Sequence, residues 1–280
     1  MTANIDDFTT LLVEQDAARA DRLLVRLNRP DTRNAIDQAM VDEFHALCDE
    51  LERQPRTLIL TGTTVTKARP DGTESRRGIF ASGADIRQLR DRRRDDALRG
   101  INSTVFDRIH RLPMPVIAAI DGFALGGGAE LAYAADFRLA TPSLKLGQPE
   151  VGLGIMAAAG ATWRLKELVS ESLALELLLT GRVLNAAEAV AAGLITALHD
   201  ADELLPAAHA LADRIAAQDP VAVRITKRVY HAPRAAHPVI DDLAQAVLFE
   251  SDAKFDRLRA FLDNSAATTA AGTTTQETKK

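Results

Sequence analysis

Along the chain, short runs of consecutive apolar residues alternate with longer stretches in which apolar side chains recur every three or four positions. The runs at 23–27 (LLVRL), 57–61 (TLILT) and 115–120 (PVIAAI) are rich in leucine and β-branched residues and read as buried strands. Between the first two, 37–53 carries Met40, Val41, Phe44, Leu47 and Leu51 at helical spacing, which predicts a crossover helix with one apolar face. Strand and helix in alternation predict an α/β layer fold. The polar stretch 62–78, with its glycines and proline, reads as a surface loop. From 165 onward the pattern is helical, with Asn185 and Glu188 spaced as a helix N-cap and its capping-box partner and Gly193 at the C-terminal stop. Further helices are predicted over 201–218 and 239–262, and 264–280, lacking periodicity, reads as a disordered tail.

Composition narrows the function. With 280 residues and 46% hydrophobic content, the chain can bury a sizeable core. Its 34 Lys and Arg against 39 Asp and Glu, a net charge of −5, argue against a nucleic-acid partner held through phosphates. The basic stretch 87–99 is interleaved with Asp91, Asp95 and Asp96 and reads as a solvated helix face. A single cysteine, Cys48, forms no internal disulfide and no thiolate metal cluster, which fits a reducing compartment. The opening residues MTANIDDFTT lack a signal-peptide pattern, and no apolar run is long enough to span a bilayer. The expectation is a cytoplasmic protein with no membrane partner.

The chemistry concentrates in three segments. In PVIAAIDGFALGGGAELAYAAD (115–136) a strand, a turn at Asp121-Gly122 and three glycines precede an apolar helix. Glycine weakens a helix by about 1 kcal/mol per residue, so the run suits either a close packing contact or an amide-lined site for negative charge at the helix start. In IFASGADI (79–86) small residues lead into a second apparent helix start, and two such starts can supply two converging N–H donors for an enolate or tetrahedral oxyanion. In GQPE (147–150) Glu150 opens a small, apolar stretch that needs no carboxylate for solubility, and Glu130 is similarly isolated between Ala129 and Leu131. Two glutamates in one pocket take separated pKa values, leaving one as base and the other as acid. GLGIMA at 152–157 has dinucleotide-fingerprint spacing but follows no long buried strand, and no P-loop, zinc-ligand spacing or GxSxG turn occurs.

Taken in order, LNRPDTRNAID, FASGADI, PVIAAIDGFALGGGAELAYAAD, GQPEVGLG and TGRVLNAAEAVAAGLI resemble the enoyl-CoA hydratase family of the crotonase superfamily, over roughly residues 11–261. The resemblance implies a crotonase-like spiral of ββα units over 1–196, a helical C-terminal oligomerisation region over 197–263, and assembly as a homotrimer or homohexamer. It implies an acyl-CoA thioester as substrate, with coenzyme A part of that substrate and no separate cofactor or metal. By position it assigns the thioester oxygen to the amides of Ala84 and Gly127, and the acid–base roles to Glu130 and Glu150. Substrate contacts are implied at Arg33 and Ala35 through their backbone, at Ala81, Gly83, Asp85, Ile86, Gly126 and Ala158, and at Phe261 near the C-terminus. Where family members commonly carry Pro-Gly after the second glutamate, this chain has Met156-Ala157-Ala158-Ala159. Lys67, Arg69, Arg76 and Arg77 either meet CoA phosphates or face solvent. A Δ3,Δ2-enoyl-CoA isomerase needs only one carboxylate; retention of two favours the hydratase over it and over a low-turnover acyl-CoA binder.

Overall fold

Strands β1 (Leu11–Glu14) and β2 (Arg22–Leu27) pair antiparallel in a computed structural model that describes residues 5–68 and 74–274. The chain then spirals, dealing strands to two sheets: β3 (Thr57–Thr61), β6 (Val116–Ile120) and β8 (Phe137–Ala140) to the first, and β4 (Thr63–Ala68), β5 (Glu74–Ala81), β7 (Phe123–Leu125) and β9 (Lys145–Gly147) to the second. With β10 (Val183–Asn185) and β11 (Ala197–Leu198) the orders become β1-β2-β3-β6-β8-β11 and β10-β9-β7-β5-β4. The first sheet is parallel from β2 onward; the second is parallel at its centre and antiparallel at both edges.

Helices fill the returns: α1 (Gln38–Arg53), α2 (Ile86–Asp91), α3 (Arg94–Leu98), α4 (Ile101–His110), α5 (Gly127–Ala134), α6 (Ala161–Leu168), α7 (Glu171–Thr180), α8 (Ala186–Ala191) and α9 (Leu204–Ala216). Strands β3 and β6 are buried at every position because both faces of their sheet are covered, which is why they read as unbroken apolar runs. Leu58, Leu60, Val116 and Ala118 join the main core with Met40, Phe44 and Leu47 of α1, while Ile59, Ile117 and Ala119 pack with Leu204, Ala208 and Leu211 of α9. Asp37 caps α1 by accepting from the Met40 amide at 2.9 Å, and Asn185 and Glu188 form the reciprocal capping box at the start of α8. Cys48 is buried, and burial pushes its thiol up to about 12.

These elements make up one compact unit, residues 1–216; residues 217–280 form a second, built from α10 (Pro220–Tyr230), α11 (Val239–Phe249) and α12 (Asp252–Thr274). Among the described residues no helix is long and apolar enough to cross a membrane. Helices α2 and α3 keep their charges at the surface, with Arg90 on Asp91, Arg94 on Asp95 and Arg99 on Asp96.

Three sequence expectations change. The stretch 62–78 is largely a β-hairpin, with β4 pairing β5 from Thr63↔Ile79 to Ala68↔Glu74. Its β-branched Thr63, Thr64, Val65 and Thr66 favour extended backbone, and the Pro and Gly that suggested a loop sit within 69–73, outside the described residues. The helix expected over 239–262 is two helices, broken where the Ser251 hydroxyl donates to Leu248 O at 2.7 Å and accepts from the Lys254 amide at 3.3 Å. Beyond 264, α12 continues to Thr274: an alanine-rich segment needs no apolar period to be helical. Helix α10 was legible and passed over, since Asp219 caps it through the Ala222 amide and Pro220 occupies its first turn.

Candidate active site

Where β5 ends, the backbone from Ser82 to Asp85 is laced to the turn at 33–36. Ser82 N donates to Arg33 O at 3.1 Å, Ile36 N to Gly83 O at 2.8 Å, and Asp85 N to Ile36 O at 2.9 Å. Ile36 and Ala84 are thereby a parallel bridge pair. In such a pair the flanking residues bond across the bridge, so the Ala84 N–H is directed away from Ile36. The Ala84 amide does not belong to a helix start, as the sequence suggested: α2 begins at Ile86, with Asp85 as its N-cap. Its freedom comes from strand geometry.

The motif LNRPDTRNAID builds this arrangement. Arg33 and Asn34 both take left-handed backbone, with φ of 57° and 53°. The buried Asn34 amide accepts from Arg29 N at 2.9 Å and donates to Thr63 Oγ1, Ile79 O and Phe80 O at 2.9 to 3.0 Å. The Arg29 guanidinium reaches Ala35 O, the Asp37 carboxylate at 3.1 Å and the Asp85 carboxylate at 3.3 Å, tying the segment around Ile36 to the residue that follows Ala84. Burial resists ionisation of Asp85, but the Gln88 and Arg87 amides and Arg29 outweigh it and hold the carboxyl below the usual range. Sequence reading missed Arg29 and Asn34, although both stood inside a quoted motif.

The three glycines separate into three jobs. Gly126, with φ of 52°, leaves room for a carboxylate: a Cβ there would lie 2.7 Å from Glu150 Oε1. Gly128 is a packing position, since its Cβ would fall 2.3 Å from Ala81 O. Gly127 opens α5, where the first amides have no intrahelical acceptor. The point where its Cβ would sit is 3.4 Å from Ala84 N, and the Cβ point of Gly83 is 3.7 Å from Gly127 N, so the two amides border the same small region.

One turn into α5, Glu130 is 3% exposed, and its Oε1 accepts from Ala159 N at 2.7 Å and Ala161 N at 3.1 Å. Burial is the main cause of a pKa raised to about 7; the amides of Ala161 and Ala159 oppose the rise and the Glu150 charge adds to it. The stretch 156–159 that replaces Pro-Gly contains no positive φ, so alanine sits there without strain, and the left-handed turn falls instead on Gly160 at 142°.

Glu150 is only partly buried, and burial raises its pKa as well, against a hydrogen bond from its own backbone. Both of its oxygens face the buried Gln148 carboxamide. With the amide nitrogen toward Glu150, Gln148 donates at 3.2 and 3.0 Å; with the amide reversed, its oxygen accepts from a protonated Glu150. The buried Tyr133 hydroxyl is a further neighbour of Gln148. Gln148 and Tyr133 were missed because nothing in their spacing distinguishes them from core residues.

The structure therefore gathers Gly83, Ala84, Gly126, Gly127 and Glu150 around one region, with Glu130 one helical turn beyond. Ala81 lies beneath Gly128, the Asp85 carboxylate is committed to Arg29 and α2, and Arg33, Ile86 and Ala158 are exposed. The carbonyls of Arg33 and Ala35 already accept from Ser82 N and Arg29. Phe261 is exposed on α12 in the second unit. Near the start of β5, Arg77 stacks on Phe123 at 4.3 Å and Arg76 lies 3.7 Å from Asp202; Arg69 falls outside the described residues.

A family profile described as enoyl-CoA hydratase/isomerase matches residues 19–257. A short-chain-enoyl-CoA hydratase of Clostridium acetobutylicum is 36% identical over 234 residues, 82% of this chain and 83% of that protein. A crotonyl-CoA hydratase of Syntrophomonas wolfei is 35% identical over 250 residues, 88% of each chain. Among solved structures, the enoyl-CoA hydratase from Bacillus anthracis superposes with a TM-score of 0.81 at 29% identity, covering 91% of this chain and 97% of that one.

Proposed function

The chain belongs to the enoyl-CoA hydratase/isomerase family and is an enoyl-CoA hydratase, and from that premise we propose how its residues carry the reaction. The thioester oxygen of a trans-2-enoyl-CoA rests on the Ala84 and Gly127 amides. Glu130, as carboxylate, takes a proton from a water whose oxygen bonds to C3. The C2=C3 electron pair moves toward the thioester and the charge collects on its oxygen, where losing one preorganised donor typically costs about 3 kcal/mol of barrier lowering. Glu150 delivers its proton to C2, giving the 3-hydroxyacyl-CoA. Each acid–base step contributes about 10²- to 10⁴-fold.

The division of labour follows from hydrogen bonding. Two backbone amides aimed at Glu130 Oε1 favour its carboxylate, the form a base needs. Glu150 is faced by a carboxamide that matches either protonation state. The observation that carries the reading is the placement of Glu150 against Gly126, one residue before the Gly127 amide. Glu130→Gln and Glu150→Gln are each expected to lower crotonyl-CoA hydration more than about tenfold while CoA binding stays near normal; unchanged turnover in either variant removes that residue's role.

Assembly as a homotrimer or homohexamer is part of the same reading. Leu153, Ile155, Met156, Leu175 and Leu179 expose apolar surface in the first unit, which supports burial against a second copy. Light scattering on the purified protein tests it.

A further inference from the structure

The half-buried Asn102, in the first turn of α4, is a polar side chain beside the Ala84 and Gly127 amides that has no task in the reaction as derived. Its Nδ2 lies 3.6 Å from the Cβ point of Gly127, the same point that is 3.4 Å from Ala84 N. Its Oδ1 is buried without a hydrogen-bond partner. Among the described residues the carboxamide makes no hydrogen bond at all, unlike Asn34, whose amide is engaged on both ends. The buried atom left unpaired is the oxygen, an acceptor turned away from any protein donor, which leaves the nitrogen of the same carboxamide as the uncommitted donor beside the site.

Resting on the two-amide reading of the thioester site, we propose that Asn102 is a third donor to the substrate: its Nδ2 hydrogen-bonds the thioester oxygen alongside Ala84 N and Gly127 N, and strengthens as charge develops there. The chemistry fits the nitrogen and not the oxygen of the carboxamide. A donor with no protein acceptor sits next to two other donors, and the group that satisfies all three is an oxygen gaining negative charge. No bond is made or broken by Asn102; it stabilises charge that the Glu130 and Glu150 steps create and remove. With no hydrogen bond holding the carboxamide in the free enzyme, the bound thioester oxygen is what fixes its orientation.

The test uses three versions of the full chain: wild type, Asn102→Ala and Asn102→Asp. Two readouts are taken: crotonyl-CoA hydration as a function of pH, and the absorbance of a bound aryl-conjugated enoyl-CoA, which moves to longer wavelength as its thioester carbonyl is polarised. Thermal melting of each variant checks folding. Asn102→Ala is expected to lower kcat at least about tenfold and to shrink the red shift. Asn102→Asp places an acceptor-only carboxylate against the developing oxyanion, so it falls further at neutral pH and recovers toward the alanine variant as the carboxyl protonates at low pH. Both variants within about threefold of wild type in kcat, with an undiminished red shift, would overturn the proposal while leaving Ala84 and Gly127 in place. A wild-type enzyme that itself gives no red shift removes the proposal together with the two-amide reading.

Discussion

Glu150 stands where a side chain on Gly126 would begin, with Oε1 only 2.7 Å from that Cβ position. The backbone of Gly126, at φ 52°, is also one that L-residues rarely adopt. Gly126→Ala is therefore expected to lose about 1–3 kcal/mol of stability to strain and to push the carboxylate aside, lowering hydration at least about tenfold. Gly152→Ala is the control, since a Cβ there meets nothing within 4 Å. Thermal melts and turnover of the two variants check this; equal behaviour would mean that the contact with Gly126 does not position Glu150.

Glu130 should make stability depend on pH. Its carboxyl titrates at an ordinary 4.5 when exposed and at about 7 when folded, mainly through burial. The native state binds the proton more tightly than the unfolded chain, so this group's contribution is fully present below pH 4.5 and is lost as pH rises through 7, by about 3 kcal/mol. Glu130→Gln keeps an oxygen for the Ala159 and Ala161 amides and removes the titration. Denaturant unfolding at pH 5 and pH 8 should show the variant gaining on wild type by about 2–3 kcal/mol between the two. A difference that stays constant with pH would show that burial does not raise this group.

Arg29 ties Asp85, the residue after Ala84, to Ala35 O and Asp37 on either side of its bridge partner Ile36. A lysine keeps the charge but cannot span three acceptors with a planar fork. Arg29→Lys should lower kcat/KM at least about tenfold, with only a small loss of melting temperature. Unchanged kcat/KM would show that the Ala84 segment keeps its place without the clamp.

Much of the fold was legible because its central strands are buried on both faces, so 57–61 and 115–120 announced themselves as apolar runs, and α1 by its single apolar face. The hairpin hid because the Pro and Gly at 69–73 in the sequence drew attention away from the threonines before them. In the site, Glu130, Glu150 and Gly127 stood out because each is costly or conspicuous where it sits. Ala84 was assigned through the family resemblance, and the helix start read in 79–86 was the wrong local geometry: a bridge to Ile36 frees its amide, and pairing over that sequence distance leaves no mark in a one-dimensional pattern. Asn102, Gln148 and Arg29 were silent for the same reason, since their significance lies in what the fold sets beside them.

The central claim is that the amides at 84 and 127 share one substrate oxygen, with both glutamates flanking the adjacent carbons. A crystal structure of the protein with a bound 3-hydroxyacyl-CoA tests it most directly. The account predicts the thioester oxygen within about 3.1 Å of both nitrogens, and the carboxyl groups of Glu130 and Glu150 beside C3 and C2. A thioester oxygen more than about 4 Å from either nitrogen, or a carboxyl turned away from those carbons, would contradict it.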